Sequence, residues 1–536
     1  MRPIFCLLLI CTFVCGHAQL PDSMAKKVDA VLADYDKTNG PGCALAILKD
    51  GKILYQRGYG MSNLEHNIAI SPSSIFHVAS VSKQFTAAAI LRLSLEGKLS
   101  LNDDIRQYIP EMPDFGHRIT FNNLLHHTSG LRDQWDLQAL AGWRDDDLIT
   151  ETDILEMLAR QKALNFIPGD EYLYCNTGFT LAGIAVKKIT GVSLRAYADS
   201  VFFKPLGMNH THFHSDHAEI TPNRTQAYEK DDQGKWKISI PVFDNYGATS
   251  LFTTVEDLAK WDENFYTKKI GGDAFISLLQ HTDLLNDKTP QNYAYGLLVR
   301  TYKGYKTVEH SGADAGYRCN FIRFPDSHFS VILLANLANI NTAALSNKIA
   351  DLFLPDKTTP APMLATDSSI VKGWAGDYFD ASTQSVLNLS YKSGALQLGS
   401  NKLLAASNSV FTLNTTMASF SGDSLHAKLA LNGQGSKIKN YDKVKTITLQ
   451  PAALQEYTGN YYSAELNTQY KLLVKDSSLQ VKTPRYPATN CGPYLKDIFM
   501  GNFILRFARN KKNGIEGFYL STGRSRNLYF EKLAAR

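Results

Sequence analysis

The stretch that decides the fold is Phe76-His77-Val78-Ala79-Ser80-Val81-Ser82-Lys83-Gln84-Phe85-Thr86. Ser80 and Lys83 form a Ser-x-x-Lys pair, and the residues that follow, 87–91, are mostly apolar helix formers, which predicts a buried helix. Because positions i and i+3 share a helix face, we expect the Lys83 amine beside the Ser80 hydroxyl. A desolvated lysine can take the proton of a serine and make it a nucleophile.

The motif alone is weak. Four Ser-x-x-Lys strings occur in the chain, beginning at Ser23, Ser80, Ser369 and Ser436. About two are expected by chance at ordinary Ser and Lys usage. The interpretation therefore depends on the motifs further along the chain.

Length, charge and the N-terminus limit the classes of function. A chain of 536 residues predicts two to four domains, and a formal charge of +5 without a basic cluster predicts no nucleic-acid or membrane-surface partner. Residues 4–14 are apolar and precede Gly16-His17-Ala18, which predicts a signal peptide over 1–18 and export to the periplasm or the medium. A lipoprotein attached through Cys15 is the less favoured alternative. The apolar run is too short to span a bilayer, so no transmembrane segment is expected after cleavage.

Cysteine and histidine spacing gives no firm metal or cofactor signal. Outside the signal lie Cys43, Cys175, Cys319 and Cys491, which we interpret as mostly buried thiols, with disulfide pairing left open. The run His210-Thr211-His212-Phe213-His214, followed by His217, suggests a metal site, but a surface loop is the favoured interpretation. No glycine-rich phosphate or dinucleotide motif precedes a helix, so no cofactor is expected. The sequence does not indicate an oligomeric state.

The order of apolar patterns predicts one α/β (α+β) domain over residues 19–354. Strands are predicted over 43–48, 52–55, 306–310, 319–324 and 330–336, with helices largely between 101 and 285, one of them over 179–189. The Thr254-Val255-Glu256-Asp257 stretch predicts a helix cap. We expect one mixed sheet with a helical subdomain beside it and a site in the groove between them.

Beyond a linker at 355–368, the chain predicts two all-β repeats, over 369–446 and 447–536. Gly376-Asp377-Tyr378 recurs as Gly459-Asn460-Tyr461, and Leu396-Gln397-Leu398 recurs as Leu479-Gln480-Val481, both 83 residues later. Tandem antiparallel barrels of the lipocalin-like kind would explain this repeat. The second copy carries a longer stretch, 483–500, and long ordered loops are often functional.

Three separated motifs share one arrangement: Ser80-Val81-Ser82-Lys83, Tyr174-Cys175-Asn176 and His310-Ser311-Gly312. In this order they resemble the serine β-lactamase and penicillin-binding protein superfamily, in its class C-like branch of peptidases, esterases and β-lactamases. The resemblance covers about residues 22–354. The supporting stretches are Leu125-His126-His127-Thr128-Ser129-Gly130, Phe166-Ile167-Pro168-Gly169 and Pro205-Leu206-Gly207-Met208.

The resemblance implies a role for each matching residue. Ser80 would be the acylated nucleophile, and Lys83 and Tyr174 would share its proton, with the identity of the base left open. Asn176 would hydrogen-bond the substrate amide. The substrate would lie along Ser311, Gly312 and Ala313, and the backbone N–H groups of Ser80 and Ala313 would form the oxyanion hole. Gly312 and Gly316 are expected to let the backbone approach a ligand, whereas His77, His126 and His127 are expected to be structural.

His310 is also predicted to be a catalytic residue, and it is the position at which the chain departs from the family pattern. Many members of the superfamily have a lysine there, which suits a substrate carboxylate, whereas histidine is mostly neutral at pH 7. We therefore rank β-lactam hydrolysis below peptide or ester hydrolysis. If neutral His310 is required, activity should fall below about pH 6.5.

The whole architecture is similar to that of secreted D-stereospecific aminopeptidases, in which a loop of the last barrel limits substrate size. Residues 483–500 are predicted to do the same; the alternative is that both barrels are spacers or partner modules. The sequence thus predicts an exported serine hydrolase for peptides or amides containing D-amino acids. Esterase or β-lactamase activity is the alternative. A non-catalytic penicillin-binding-type sensor is disfavoured, because all four side chains of the site are present.

Overall fold

The computed structural model describes residues 20–358, 366–413, 416–433 and 437–534. The predicted signal peptide and part of the predicted linker lie outside these ranges. Residues 20–354 form the N-terminal region, and two β-barrels follow it. No helix in the described ranges is long and apolar enough to cross a membrane.

A six-stranded sheet forms the centre of the N-terminal region. Its strands, in spatial order, are Leu298–Tyr302, Tyr305–Asp314, Tyr317–Phe324, Phe329–Ala335, Cys43–Lys49 and Lys52–Tyr59. Asp50 and Gly51 have positive φ angles of 50° and 75° and close the hairpin between the last two strands. Every pairing in this sheet is antiparallel, so the prediction of a mixed sheet is wrong in this respect.

Helices cover both faces of this sheet. They are Asp22–Leu32 and Thr342–Ala350 on one face and Val255–Thr267 on the other. Cys43, Leu45 and Ile47 pack with the first pair, whereas Ala44 and Leu48 face the larger core that contains the helix after Ser80. Because successive strand side chains point to opposite faces, a continuous apolar run suits a strand that is buried on both.

The remaining helices of the N-terminal region form a subdomain beside the sheet. They are Lys83–Leu95, Phe121–Leu125, Gln134–Ala141, Glu151–Ala159, Asn176–Thr190, Leu194–Ala198, Lys204–Leu206 and Gly272–Leu279. Short strands connect them: Met61–Asn63 with Ile68–Ala69, Ile149–Thr150 with Phe243–Asp244, Tyr228–Lys230 with Trp236–Ile238, and Leu251–Thr253 between Phe76–His77 and His212–Phe213. The predicted cap is confirmed, since the Thr254 hydroxyl accepts from the Asp257 backbone at 3.1 Å. The helix predicted over 179–189 begins earlier, at Asn176.

The first barrel is a nine-stranded antiparallel sheet. Its strands, in spatial order, are Asn401–Lys402, Ala395–Leu398, Ser385–Lys392, Gly376–Asp380, Lys439–Val444, Lys428–Gly433, Thr416–Ser421, Val410–Leu413 and Leu404–Ala405. The short helix Ser368–Gly373 precedes it.

The second barrel is closed. Its strands are Gly459–Ser463, Thr468–Lys475, Ser478–Lys482, Thr489–Leu495, Ile498–Met500, Ile504–Arg509, Ile515–Ser521 and Leu528–Lys532, preceded by the helix Pro451–Leu454. Residues 483–500 are therefore not one long loop, because two strands lie within them and only 483–488 and 496–497 connect strands. This corrects the prediction of an extended loop.

The second barrel docks on the helical subdomain through both apolar and polar contacts. Leu137, Leu140 and Met157 of the subdomain belong to the same apolar cluster as the barrel core. Arg132 and Glu465 form an ion pair across this interface, with side chains only 1% and 6% exposed. The barrel core thus continues into the N-terminal region.

Candidate active site

Ser80 lies in a 3₁₀ turn, Ala79–Ser82, directly before the helix Lys83–Leu95. Ala79 has a φ of +45°, a conformation that is costly for a residue with a side chain. Ser80 is half-buried and lies at the floor of a groove of about 1380 Å³. The strain at Ala79 indicates that the surrounding contacts fix the backbone of the turn that carries Ser80.

Lys83 points at Ser80, as the i, i+3 spacing predicts. Its amine donates to the Ser80 hydroxyl at 3.1 Å, to Oδ1 of Asn176 at 2.8 Å and to the Ala248 carbonyl at 2.7 Å. The side chain is fully buried, and burial lowers the pKa of Lys83 to about 7, although the charge of Asp133 acts in the opposite direction. A substantial share of the amine is therefore neutral near pH 7 and able to accept a proton.

Tyr174 lies on the other side of the lysine. The Lys83 amine is 4.9 Å from the centre of the tyrosine ring. The tyrosine hydroxyl is buried near Ser80 without a hydrogen bond of ordinary geometry. Burial raises the pKa of Tyr174 well above its usual value, so a phenolate is disfavoured. Burial thus favours a neutral Lys83 amine and disfavours a Tyr174 phenolate.

Asn176 is held at both ends of its amide by the protein. Its Oδ1 accepts from Lys83, and its Nδ2 donates to Asp133 at 2.8 Å. Asp133 also accepts from the Asn176 backbone at 2.6 Å and caps the next helix by accepting from the Trp135 backbone at 3.0 Å. Asp133 was not predicted from the sequence, and through Asn176 it orients the candidate base.

The strand Tyr305–Asp314 forms one wall of the groove and lies close to the Ser80 turn. A side chain at Gly312 would place its Cβ 2.5 Å from the Val78 carbonyl and 2.5 Å from Cys319 Sγ. Glycine is therefore needed for the strand to reach the turn. Gly316 is equally constrained, because a Cβ there would lie 2.7 Å from the backbone nitrogen of Tyr228.

The close approach that these glycines permit is therefore between parts of the protein. That Gly312 also lets the backbone approach a ligand stays a prediction, and Gly312 lines the groove. Ser311 and Ala313, on either side of Gly312, are exposed to the groove, where the resemblance places substrate binding.

His310 is neutral, and both of its ring nitrogens form hydrogen bonds within the protein. Its Nδ1 lies 2.6 Å from the Ser311 carbonyl, which only accepts, so we assign the proton to this nitrogen. Nε2 then accepts from the Tyr293 hydroxyl at 2.9 Å. Burial lowers the pKa of His310 to about 3. A loss of activity below about pH 6.5 is therefore expected from protonation of Lys83 rather than from protonation of His310.

Thr249 and Asp314 form a second polar group near the strand end. The Thr249 hydroxyl donates to Asp314 at 2.8 Å and lies 3.0 Å from Nε2 of His77, which also accepts from the Ser250 backbone at 3.1 Å. Burial raises the pKa of Asp314 to about 6. Thr249 and Asp314 line the groove and were missed by sequence reasoning, whereas His77 makes the packing contacts predicted for it.

His127 lies behind Tyr174. Its Nδ1 accepts from the Cys175 backbone at 3.0 Å, and its ring packs 4.2 Å from that of Tyr174. His126 instead packs against Tyr295, with ring centres 4.3 Å apart. Both histidines thus have the structural roles predicted for them. Among the described residues, Cys43, Cys175, Cys319 and Cys491 are free and buried, as predicted for most of them.

The histidine run is not a surface loop, which corrects that interpretation. His212–Phe213 is a strand paired in a small sheet, and His214 is buried. Donor atoms of His212, His214 and Glu219 lie within 4.8 Å of one another. However, Arg195 already donates to both oxygens of Glu219, at 2.5 and 2.7 Å. The carboxylate is therefore neutralised by a protein cation.

The second barrel also contributes to the groove. Arg524, between its last two strands, lies over the ring of Tyr174, with its guanidinium carbon 5.0 Å from the ring centre. Tyr486, from residues 483–488, lines the rim and donates to the Trp143 carbonyl at 2.7 Å. Residues 522–527 thus reach Tyr174, which was not predicted, and Tyr486 of the predicted stretch 483–500 lines the same groove.

Comparison with known proteins identifies the family. The beta-lactamase family profile matches residues 27–354. The chain belongs to the beta-lactamase family. It is a serine hydrolase of this family.

Curated relatives of the chain span nearly its full length. A D-aminopeptidase of Brucella melitensis biotype 2 is 25% identical over 520 residues, covering 92% of this chain and 96% of that protein. A D-aminopeptidase of Brucella anthropi is 24% identical over 518 residues, with the same coverage. The similarity therefore includes both barrels.

Solved structures show the same fold. The octameric penicillin-binding protein homologue from Pyrococcus abyssi matches with a TM-score of 0.55 at 22% identity, covering 87% of this chain and 99% of that one. The D-amino acid amidase from Ochrobactrum anthropi, complexed with L-phenylalanine amide, matches with a TM-score of 0.51 at 20% identity, covering 62% and 98%.

Proposed function

We propose that this beta-lactamase-family hydrolase is exported and cleaves amides or peptides of D-amino acids through an ester formed on Ser80. The observation that carries the proposal is the Lys83 amine, which is buried, 3.1 Å from the Ser80 hydroxyl and has a pKa lowered to about 7. The substrate class is supported by the D-aminopeptidase relatives, which align with 92% of the chain. Export is supported by the apolar run at residues 4–14.

The first half of the reaction forms the ester. Neutral Lys83 takes the Ser80 proton while Ser80 Oγ attacks the substrate carbonyl carbon, and the carbonyl oxygen becomes an oxyanion. The backbone N–H groups of Ser80 and Ala313 are the proposed donors to that oxyanion. When the tetrahedral intermediate collapses, the C–N bond breaks, and the Lys83 proton passes to the leaving amine.

The second half releases the acid. A water molecule attacks the ester and gives its proton to Lys83. The new intermediate collapses, the bond to Ser80 Oγ breaks, and the proton returns to the serine. Asn176, held by Asp133, keeps the Lys83 amine in place through both halves. Tyr174 is the proposed route by which the proton moves between Lys83 and the leaving group.

The test is hydrolysis of a matched panel by the mature protein and by Ser80→Ala. The panel contains the p-nitroanilides of D-alanine and L-alanine, each also as the N-acetyl derivative, with a short-chain p-nitrophenyl ester and a chromogenic cephalosporin. We expect the D-anilides to be preferred over their L-forms and every turnover to vanish in Ser80→Ala. A preference for the ester or the cephalosporin would overturn the proposed substrate class, and turnover that survives in Ser80→Ala would overturn the nucleophile.

A further inference from the structure

Arg524 is presented to the groove by a firmly anchored loop, residues 522–527 of the second barrel. The Arg524 backbone N–H donates to Asp136 at 3.1 Å, and its carbonyl accepts from Asn165 at 2.9 Å. Two residues later, the Arg526 guanidinium binds Glu171, with distances of 3.1 and 3.2 Å. The position of Arg524 is therefore set by its backbone and its neighbours, independently of its own side chain.

The guanidinium of Arg524 is left available. Among the described residues it makes no hydrogen bond, and its contacts are the Tyr174 ring and Asp133, whose Oδ2 lies 4.0 Å from Nη1. The side chain remains 42% exposed. An arginine has five N–H donors in a planar fork, and here they face a groove lined by Ser80 and Ser311.

None of the carboxylates of Asp133, Asp136 and Asp314 accepts a hydrogen bond from this guanidinium in the described residues; Asp136 accepts from the backbone N–H of Arg524. Asp133 is fully buried and already accepts from the backbone and the side-chain amide of Asn176. Asp314, the last residue of the strand Tyr305–Asp314, accepts a hydrogen bond from the Thr249 hydroxyl. The positive charge of Arg524 therefore lies on the Tyr174 side of the groove without a hydrogen-bonded carboxylate.

We propose that Arg524 binds a carboxylate of the substrate, so that the preferred substrates carry an anionic group within reach of the scissile bond and no free ammonium next to it. This inference rests on the proposed function and specifies its substrate class. A guanidinium recognises a carboxylate through two parallel hydrogen bonds, which gives both charge and geometric selectivity. A free α-ammonium beside the scissile bond would instead meet a cation of the same sign.

The substrate carboxylate can lie on the acyl side or on the leaving-group side of the scissile bond, and two sets of substrates distinguish these positions. On the acyl side we compare the p-nitroanilides of N-succinyl-D-alanine, N-acetyl-D-alanine and D-alanine, which are anionic, neutral and cationic. On the leaving side we compare N-acetyl-D-alanyl-D-alanine with its C-terminal amide. All are measured at pH 7, where an α-amino group with a pKa of about 8 is still mostly protonated and part of Lys83 is neutral, with wild type, Arg524→Gln and Arg524→Lys. Arg485→Gln is the control, because Arg485 lies in the same barrel and pairs with Asp147 outside the groove.

We expect the anionic substrate to be preferred over its neutral partner on at least one side. That preference should fall about ten- to hundredfold in Arg524→Gln, the range of a charge-assisted hydrogen bond, mainly through KM. Arg524→Lys should retain part of it, and Arg485→Gln should retain all of it. The side on which the preference depends on Arg524 is the side that carries the carboxylate.

Two outcomes would overturn the inference while leaving the proposed function intact. One is Ser80-dependent hydrolysis in which D-alanine p-nitroanilide, with its free ammonium, is the best substrate. The other is a preference for anionic substrates that Arg524→Gln does not change. By contrast, absence of Ser80-dependent hydrolysis of every D-amide would contradict the proposed function itself, so the two failures are distinguishable.

Discussion

The two C-terminal barrels begin in the same way. A glycine with φ near +140° opens each first strand, Gly376 at 147° and Gly459 at 141°. The tyrosine two residues later donates to the backbone four residues before it, at 2.8 Å in both barrels. A lysine from a later strand, Lys443 or Lys532, then donates to the carbonyl three residues before the glycine, at 2.8 and 2.9 Å. The repeat seen in the sequence is thus a repeated set of contacts.

The barrels differ in how they meet the N-terminal region. The second shares an apolar cluster with it, buries the Arg132–Glu465 ion pair and places Arg524 over Tyr174. The first has an exposed ion pair, Lys437 with Asp287 at 3.7 Å. The two barrels differ in their loops and in the face that contacts the N-terminal region. The same barrel scaffold can therefore lie beside that region or contribute residues to its groove.

The largest expected effect of this difference is on stability. Arg132→Met leaves Glu465 buried without its partner, and breaking such a pair costs about 3 to 5 kcal/mol. Lys437→Met removes a pair whose members are 51% and 42% exposed, and should cost less than about 1 kcal/mol. Urea unfolding of both variants measures this contrast. Equal unfolding midpoints would show that the two barrels dock alike.

A smaller effect is expected on activity when the Arg524 loop loses an anchor. Asp136 accepts from the Thr522 hydroxyl and from the Arg524 backbone. Asp136→Ala should lower kcat/KM up to about tenfold, the scale of one or two hydrogen bonds that position a group. The matched control is Asp380→Ala in the first barrel, where the carboxylate accepts from Ser382 at 2.9 Å and from Thr383 at 2.6 Å within a turn. A similar loss of kcat/KM in the control would contradict the claim that the second barrel, and not the first, contributes to the site.

The smallest effect concerns the segment that the sequence favoured. Tyr486 is 38% exposed and holds the groove rim through one hydrogen bond to Trp143. Tyr486→Ala should lower kcat/KM for longer D-peptides about two- to threefold and leave small anilides unchanged. Kinetics on a series of D-alanyl peptides of increasing length check this. If larger substrates instead become much better, residues 483–488 limit substrate size after all.

Local relations in this molecule could be predicted from the sequence. The pairing of Ser80 with Lys83 follows from helical spacing, and the Asp50-Gly51 hairpin and the Thr254 cap follow from turn and cap chemistry. The family motifs then brought Tyr174, Asn176 and His310 to the same groove. The sheet direction was missed, because apolar runs in parallel and antiparallel strands look alike when both faces are buried.

Relations between distant segments could not be predicted. Asp133 is recognisable as a helix cap before Gln134–Ala141, but nothing local shows that its second oxygen holds Asn176. Arg524 follows Thr522-Gly523, an ordinary turn between strands. Its place over Tyr174 depends on how the barrel docks, which is set by Arg132, Asn165 and Glu171 far away in the chain. Residues 483–500 were predicted to be a long loop only because the two strands within them were not recognised from the sequence.

The measurement that tests the account most directly is the pH dependence of kcat/KM for N-acetyl-D-alanine p-nitroanilide, in wild type and in Arg524→Gln. It reports the pKa of the free enzyme's base. Below its pKa the Lys83 amine is protonated and cannot accept the serine proton, so wild-type kcat/KM should fall as pH drops through about 7. Burial is the main cause of this low pKa and Arg524 adds to it, so Arg524→Gln should move the limb to higher pH. The same limb in both proteins, or a flat profile from pH 5 to 9, would contradict a catalytic centre that includes the second barrel.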